Sequence, residues 1–191
     1  SEESILRSST QSNLTRAQRR YNTLFELIVL AMLGALMFCS KLIMEAFPNI
    51  HLLGMLVMTV TLVFRVKALL AIYIYVFING IYAGFATWWV PYLYIWTILW
   101  GVTMLLPKKM PKGVAAVVYP IVCSLHGFAF GVLYAPAQAL MFSLSFDQML
   151  VWIAQGALMD CVHGVSNLIV GTLILPFSEL MKMLMKKGYR H

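Results

Sequence analysis

Charged side chains are scarce in this chain. Asp, Glu, Lys and Arg make up 11% of its 191 residues, against roughly 25% in soluble domains. So little charge excludes an ordinary water-soluble domain. Cysteine is scarce too: Cys39, Cys123 and Cys161 each sit inside an apolar run, with no CxxC or zinc spacing. Neither a disulfide framework nor a zinc finger is expected, and buried free thiols are. No GxxxxGK[ST] loop occurs, so ATP hydrolysis by that route is excluded. Without GxSxG or HExxH, an intramembrane enzyme using His126, Asp160 and His163 as acid–base groups has no motif behind it. No internal repeat is visible, which leaves the inverted-repeat design of many transporters unsupported. The first 23 residues have no apolar core, so no signal peptide is expected.

Apolar residues are abundant, at 61% of the chain, with a mean hydropathy of +0.83. The net charge of +7 does not point to nucleic acid, because the basic residues are distributed in a membrane pattern. Arg7, Arg16, Arg19 and Arg20 precede the first apolar run, and Arg65 and Lys67 end the second. Lys108, Lys109 and Lys112 end the fourth, and Lys182, Lys186, Lys187 and Arg190 end the last. Connections after the first, third and fifth runs carry none, and only Lys41 departs from the pattern. Basic residues stay on the cytoplasmic face and orient a protein against anionic lipid. The expectation is an all-α integral membrane protein, a single bundle of six transmembrane helices with both termini inside.

The spans are expected at 24–46, 52–64, 68–87, 90–106, 114–134 and 148–185. A polar cytoplasmic tail, 1–23, precedes this membrane domain of 24–185, and a basic tail, 186–191, follows it. Residues 135–147 read as an outer loop, and the sixth span as one helix long enough to project into the cytoplasm. The second span is too short. Its 13 residues make about 20 Å of helix against a hydrocarbon core of about 30 Å. It must borrow length from the preceding turn, thin the bilayer, or be shielded by its neighbours.

Polar groups inside a bilayer are costly and by default raise a functional hypothesis. Here they are Asn79, His126, Gln155, Asp160, His163 and Asn167. Helix-to-helix hydrogen bonding is the plain alternative for each; as a set at similar depth they point to a cavity. Trp152, Gln155, Met159, Asp160, His163 and Asn167 follow i, i+3, i+7, i+8, i+11, i+15, one face of a helix. Asp160 and His163 stand one turn apart and could share a proton or hydrogen bond. A metal would need third and fourth ligands. His126 offers one, but no spacing demands it, so neither metal nor cofactor is expected.

Aromatic residues crowd the outer ends: Trp88, Trp89, Tyr92, Tyr94, Trp96 and Trp100, with Tyr134 and Trp152 beside the last outer connection. An interfacial belt accounts for Trp88 and Trp89. Trp96 and Trp100 are too deep for headgroups. Rings at that depth beside polar groups suit a flat heteroaromatic ligand. On the first span, Ala31 and Ala35 with Gly34 beside them form a small-residue face that permits close helix approach.

Together these features resemble the substrate-binding S component of an energy-coupling factor (ECF) vitamin transporter, over about residues 24–185. The size, the six spans and the run Leu30-Ala31-Met32-Leu33-Gly34-Ala35-Leu36 carry the likeness. The resemblance implies that Ala31 and Ala35 match an AxxxA motif docking on a transmembrane T component, which works with two cytoplasmic ATPase subunits. It also implies a substrate pocket in the outer halves of spans four to six, lidded by the first and third outer turns. Nickel and cobalt members begin with a Met-His metal-binding terminus, and the sequence Ser1-Glu2-Glu3-Ser4 makes that branch the less expected one. The expected site set is Asn79, Trp89, Tyr92, Trp96, His126, Tyr134, Trp152, Gln155, Asp160, His163 and Asn167. The expected substrate is a vitamin or precursor, neutral or cationic and heteroaromatic, since Lys41 alone cannot fork several carboxylates. The setting is a plasma membrane, of bacterial type. The alternative is a stand-alone proton-coupled carrier using Asp160 and His163.

Overall fold

A computed structural model describes residues 16–47 and 50–189. The expected N-terminal tail up to residue 15, and Pro48 and Asn49 of the first outer turn, lie outside the described residues. Among the described residues eight α-helices follow in order: α1 Arg16–Met44, α2 Leu53–Phe64, α3 Ala68–Ala83, α4 Tyr92–Leu105, α5 Lys112–Phe128, α6 Phe130–Phe142, α7 Phe146–Gly171 and α8 Ile174–Gly188. Among the described residues there is no strand. Four helical segments are long and apolar enough to cross a membrane: Arg16–Met44, Leu53–Ala83, Lys112–Phe142 and Phe146–Gly171. The chain is an all-α membrane protein.

The short second span is the centre of the bundle. Ten of the twelve α2 residues are buried, from Leu53 to Phe64, and α2 packs against α1, α3, α4, α5, α7 and α8. The packing thus encloses α2 in protein, and a helix enclosed by protein need not match the bilayer. At its C-terminal end, which we call the base, Arg65 turns the chain at φ 54. The Trp100 indole N–H donates to the Arg65 carbonyl at 3.0 Å, and Arg65 Nη2 donates to the Met104 carbonyl at 3.0 Å. α3 then runs parallel to α1, with Glu26 meeting Lys67 and Phe38 meeting Tyr82. α3 ends at Gly84, whose φ of 91 is a conformation that glycine alone adopts cheaply.

Two expectations about the second half are corrected. The outer loop expected at 135–147 is mostly helix: α6 continues to Phe142, leaving only residues 143–145 as a turn. Pro136 suggested a loop, but a helix tolerates the proline where flanking alanines and tertiary packing support it. The turn closes with a reciprocal cap, in which Ser145 Oγ accepts from the Gln148 N–H and Gln148 Oε1 accepts from the Ser145 N–H. The sixth span, expected to be one helix over 148–185, is broken at Thr172–Leu173 into α7 and α8. Pro176 lacks the N–H that would bond the Thr172 carbonyl, so the chain restarts with proline in the first turn of α8. α8 then lies across the base. It reaches from Lys112, which pairs with Glu179 at 3.0 Å, to Glu26, which accepts from the Tyr189 hydroxyl.

Candidate functional site

At the opposite end of α2 from the base, a cavity of about 530 Å³ sits over Leu52 and Leu53. The helix that is too short to span thus leaves room above itself. Tyr75, Tyr92, Trp96, Phe130, Tyr134 and Trp152 wall the cavity with rings. The rings brace one another: Trp96 lies 6.4 Å edge-on from Tyr75 and 5.8 Å from Phe130, and Tyr134 stacks on Trp152 at 5.6 Å and 16°. Lys41, His51, Gln138, Asp160 and His163 supply the polar part of the wall.

Two buried hydrogen-bonding groups on this wall have no partner. They are the Trp96 indole Nε1, on a residue 3% exposed, and His163 Nε2, on a residue 7% exposed. Leaving such groups unpaired costs about 1–3 kcal/mol each. Native proteins accept that cost chiefly where a ligand or water completes the bond. The His163 ring meets His51 edge-on at 5.7 Å. His51 lies in the connection before α2, where burial first and the Lys41 ammonium second hold its imidazole below the usual range, with Glu45 opposing. Lys41 itself pairs with Glu45 at 3.3 Å.

Asp160 has a local partner. Both its carboxylate oxygens accept from the Gly131 N–H, at 3.1 and 3.2 Å. Gly131 follows the break at Ala129 between α5 and α6, and a side chain engaging the helix ladder is a known cause of such a break. Asp160 therefore bonds the start of α6 and not His163, so the direct Asp160–His163 hydrogen bond considered from the sequence is not made. The carboxylate still borders the cavity.

Of the expected site residues, Tyr92, Trp96, Tyr134, Trp152, Asp160 and His163 line the cavity. Asn79 and His126 stand behind its wall. Asn79 Nδ2 donates to the Tyr75 hydroxyl at 3.4 Å, and His126 Nε2 lies 3.1 Å from the Ile95 carbonyl with its ring 5.6 Å from Trp96. Trp89 packs on Phe85 and donates to the Val76 carbonyl at 2.8 Å. Asn167 belongs to the α5–α7 contact, where its Nδ2 donates to the Cys123 carbonyl at 3.1 Å. Gln155 is exposed on α7. On α1, Ala31 and Ala35 are exposed, but Gly34 is buried against Ile74 of α3.

The sequence reading missed His51, Tyr75, Phe130 and Gln138 as wall residues. Lys41 carried a signal, being the one base off the charge pattern. The other four looked like ordinary apolar-run or turn residues, and only the packing of distant helices brings them together. Among the described residues no three His, Cys, Asp or Glu side chains gather as metal ligands would. No family model, curated protein or solved structure matches the chain.

Proposed function

We propose that this chain is the substrate-binding membrane subunit of an ATP-driven uptake transporter for a vitamin or vitamin precursor, in the manner of the ECF S components it resembles. The observation that carries the reading is the aromatic-walled cavity with unpaired Trp96 Nε1 and His163 Nε2 on its surface. A flat ring held between the facing aromatics, with an acceptor at the edge of Trp96 for its indole N–H and a complementary group toward His163, answers both. Among the described residues Lys41 is the only lysine or arginine on the wall, and it already pairs with Glu45. A polycarboxylate would find too little positive charge there, and a neutral or cationic heteroaromatic fits better.

In this reading the bundle crosses a bacterial plasma membrane six times with both termini inside, the base toward the cytoplasm. The parallel course of α1 and α3 and the basic residues at the base support it. Ala31 and Ala35, exposed on α1, would meet the T component that couples to two ATPase subunits. The bond between Asp160 and Gly131 weighs against the proton-coupled carrier, since the carboxylate accepts from the Gly131 N–H and makes no hydrogen bond with His163.

Native mass spectrometry of the freshly purified protein tests the site, and a single heteroaromatic adduct is expected. Co-expression with candidate ATPase and T subunits tests the assembly. Uptake into vesicles lacking ATP would favour the carrier and sink the subunit reading.

A further inference from the structure

We propose that the base of the bundle carries a site for the phosphate headgroup of an anionic lipid, built from Lys67, Lys182 and Lys186 over an apolar floor of Val63, Phe64 and Met185. These residues line a second cavity of about 330 Å³ where α8 passes beneath α2 and beside α1. Its charge is unbalanced, with three lysines on the wall against the single carboxylate of Glu26. Glu26 is itself engaged on both oxygens, one by Lys67 and the other by the Tyr189 hydroxyl. Glu179, the only acid on α8, pairs instead with Lys112 at 3.0 Å. Lys182 and Lys186 make no ion pair among the described residues, so their ammonium groups stay available to an anion.

The faces of α8 say what kind of anion. At about 100° per residue, Ile174, Ser178 and Met185 form the buried side. To one side of it run Leu173, Phe177, Leu180 and Leu184, exposed by 40, 41, 48 and 53%. To the other side lie Lys182 and Lys186, one turn apart. A helix whose apolar arc extends past its packed face, with lysines on the remaining arc, lies in a membrane interface. Its lysine stems can reach headgroup level. Basic pockets between helices on the cytoplasmic side hold anionic headgroups. Free phosphate presents the same oxygens, but the apolar floor and the exposed leucine stripe suit an amphiphile.

The test uses the full chain reconstituted in vesicles of equal phosphatidylglycerol and phosphatidylcholine, then released for native mass spectrometry. Selective retention of phosphatidylglycerol is expected. Each lysine near an anionic surface contributes about fivefold, so Lys182→Gln with Lys186→Gln should weaken retention roughly thirtyfold. Lys108→Gln with Lys109→Gln, which removes the same charge from a loop outside the pocket, should weaken retention far less, and an equal loss in the two double variants would overturn the pocket in favour of a diffuse surface attraction. Circular dichroism and melting in detergent check that both double variants fold, as expected for exposed positions. Equal retention of the two lipids, or undiminished retention in the Lys182/Lys186 variant, would overturn the proposal. Displacement of phosphatidylglycerol by millimolar inorganic phosphate, with phosphate alone raising the melting temperature, would make this a soluble-anion site and overturn the lipid assignment.

Discussion

Helices α2 and α7 are opposites in where they keep their polar groups. The buried residues of α2 are mostly large and apolar, among them Met55, Val57, Met58 and Val60. Those of α7 are His163, Gly164, Ser166, Asn167 and Gly171, not one of them a large apolar side chain. Its exposed face is apolar instead, with Leu158 at 73% and Ile169 at 66%. A helix turned inside out in this way is at home only where the surroundings are as apolar as a core, which is the situation in lipid. α2 is held by burial of bulk. α7 is held by close approach: a Cβ at Gly171 would stand 2.7 Å from Pro120 Cα, and Ser124 Oγ donates to the Gly164 carbonyl at 2.8 Å. The cavity forms where these two packing regimes meet, over the N-terminal end of α2 and beside the polar face of α7.

The sharpest way to break this comparison is a matched pair of truncations. Met58→Ala, at a fully buried α2 position, should cost about 2–5 kcal/mol. Leu158→Ala on the outward face of α7 should stay within about 0.5 kcal/mol. Reversible unfolding in mixed micelles measures both, and equal costs would mean that α7 is not peripheral.

Next in size is crowding. Gly171→Leu forces a side chain against backbone and should destabilise by about 1–3 kcal/mol. Gly156 lines the cavity, and a Cβ there meets nothing within 4 Å. Gly156→Leu should therefore keep the melting temperature while abolishing ligand binding. If it unfolds the protein instead, the space beside α7 is not a binding cavity.

Ligand affinity sharpens the comparison at its meeting point. Trp96→Ala and Asp160→Asn should each weaken binding by roughly tenfold to a hundredfold, or about 1–3 kcal/mol. Asp160→Asn retains an oxygen for the Gly131 N–H, whereas Asp160→Ala removes that acceptor and should lower stability by about a further 1 kcal/mol. Calorimetry with the ligand identified by mass spectrometry separates the two effects. Unaltered affinity in both Trp96→Ala and Asp160→Asn places the ligand elsewhere.

The smallest expected effect is at Gln155. It shares the sequence periodicity of Asp160 and His163, yet points outward. Gln155→Leu should leave affinity unchanged and stability within about 0.5 kcal/mol. A tenfold loss of affinity would put it back in the site.

Much of the candidate site's chemistry was legible one residue at a time, because an imidazole or carboxylate in an apolar run stands out against its neighbours. That contrast drew attention to His163 and Asp160, and Trp96 stood out as a ring too deep for headgroups. It equally drew in Asn167, which hydrogen-bonds α5, and Gln155, which points outward, since periodicity assigns a face of a helix without saying what that face meets. Tyr75 and Phe130 were invisible for the opposite reason: an aromatic ring in an apolar span carries no contrast.

By itself, the sequence determined the class of the protein. Scarce charge and long apolar runs point to helices in an apolar surrounding, and the basic residues other than Lys41 fall outside the apolar runs, between alternate ones. Only the tertiary structure decided which apolar helix is the core and which faces outward, because hydropathy measures escape from water. Lipid and protein interior satisfy it equally. The cavity belongs to the same category. Its wall joins Lys41 and His51 to Tyr134 and Asp160, far apart in the chain, over Leu52 and Leu53 at the N-terminal end of the twelve-residue α2.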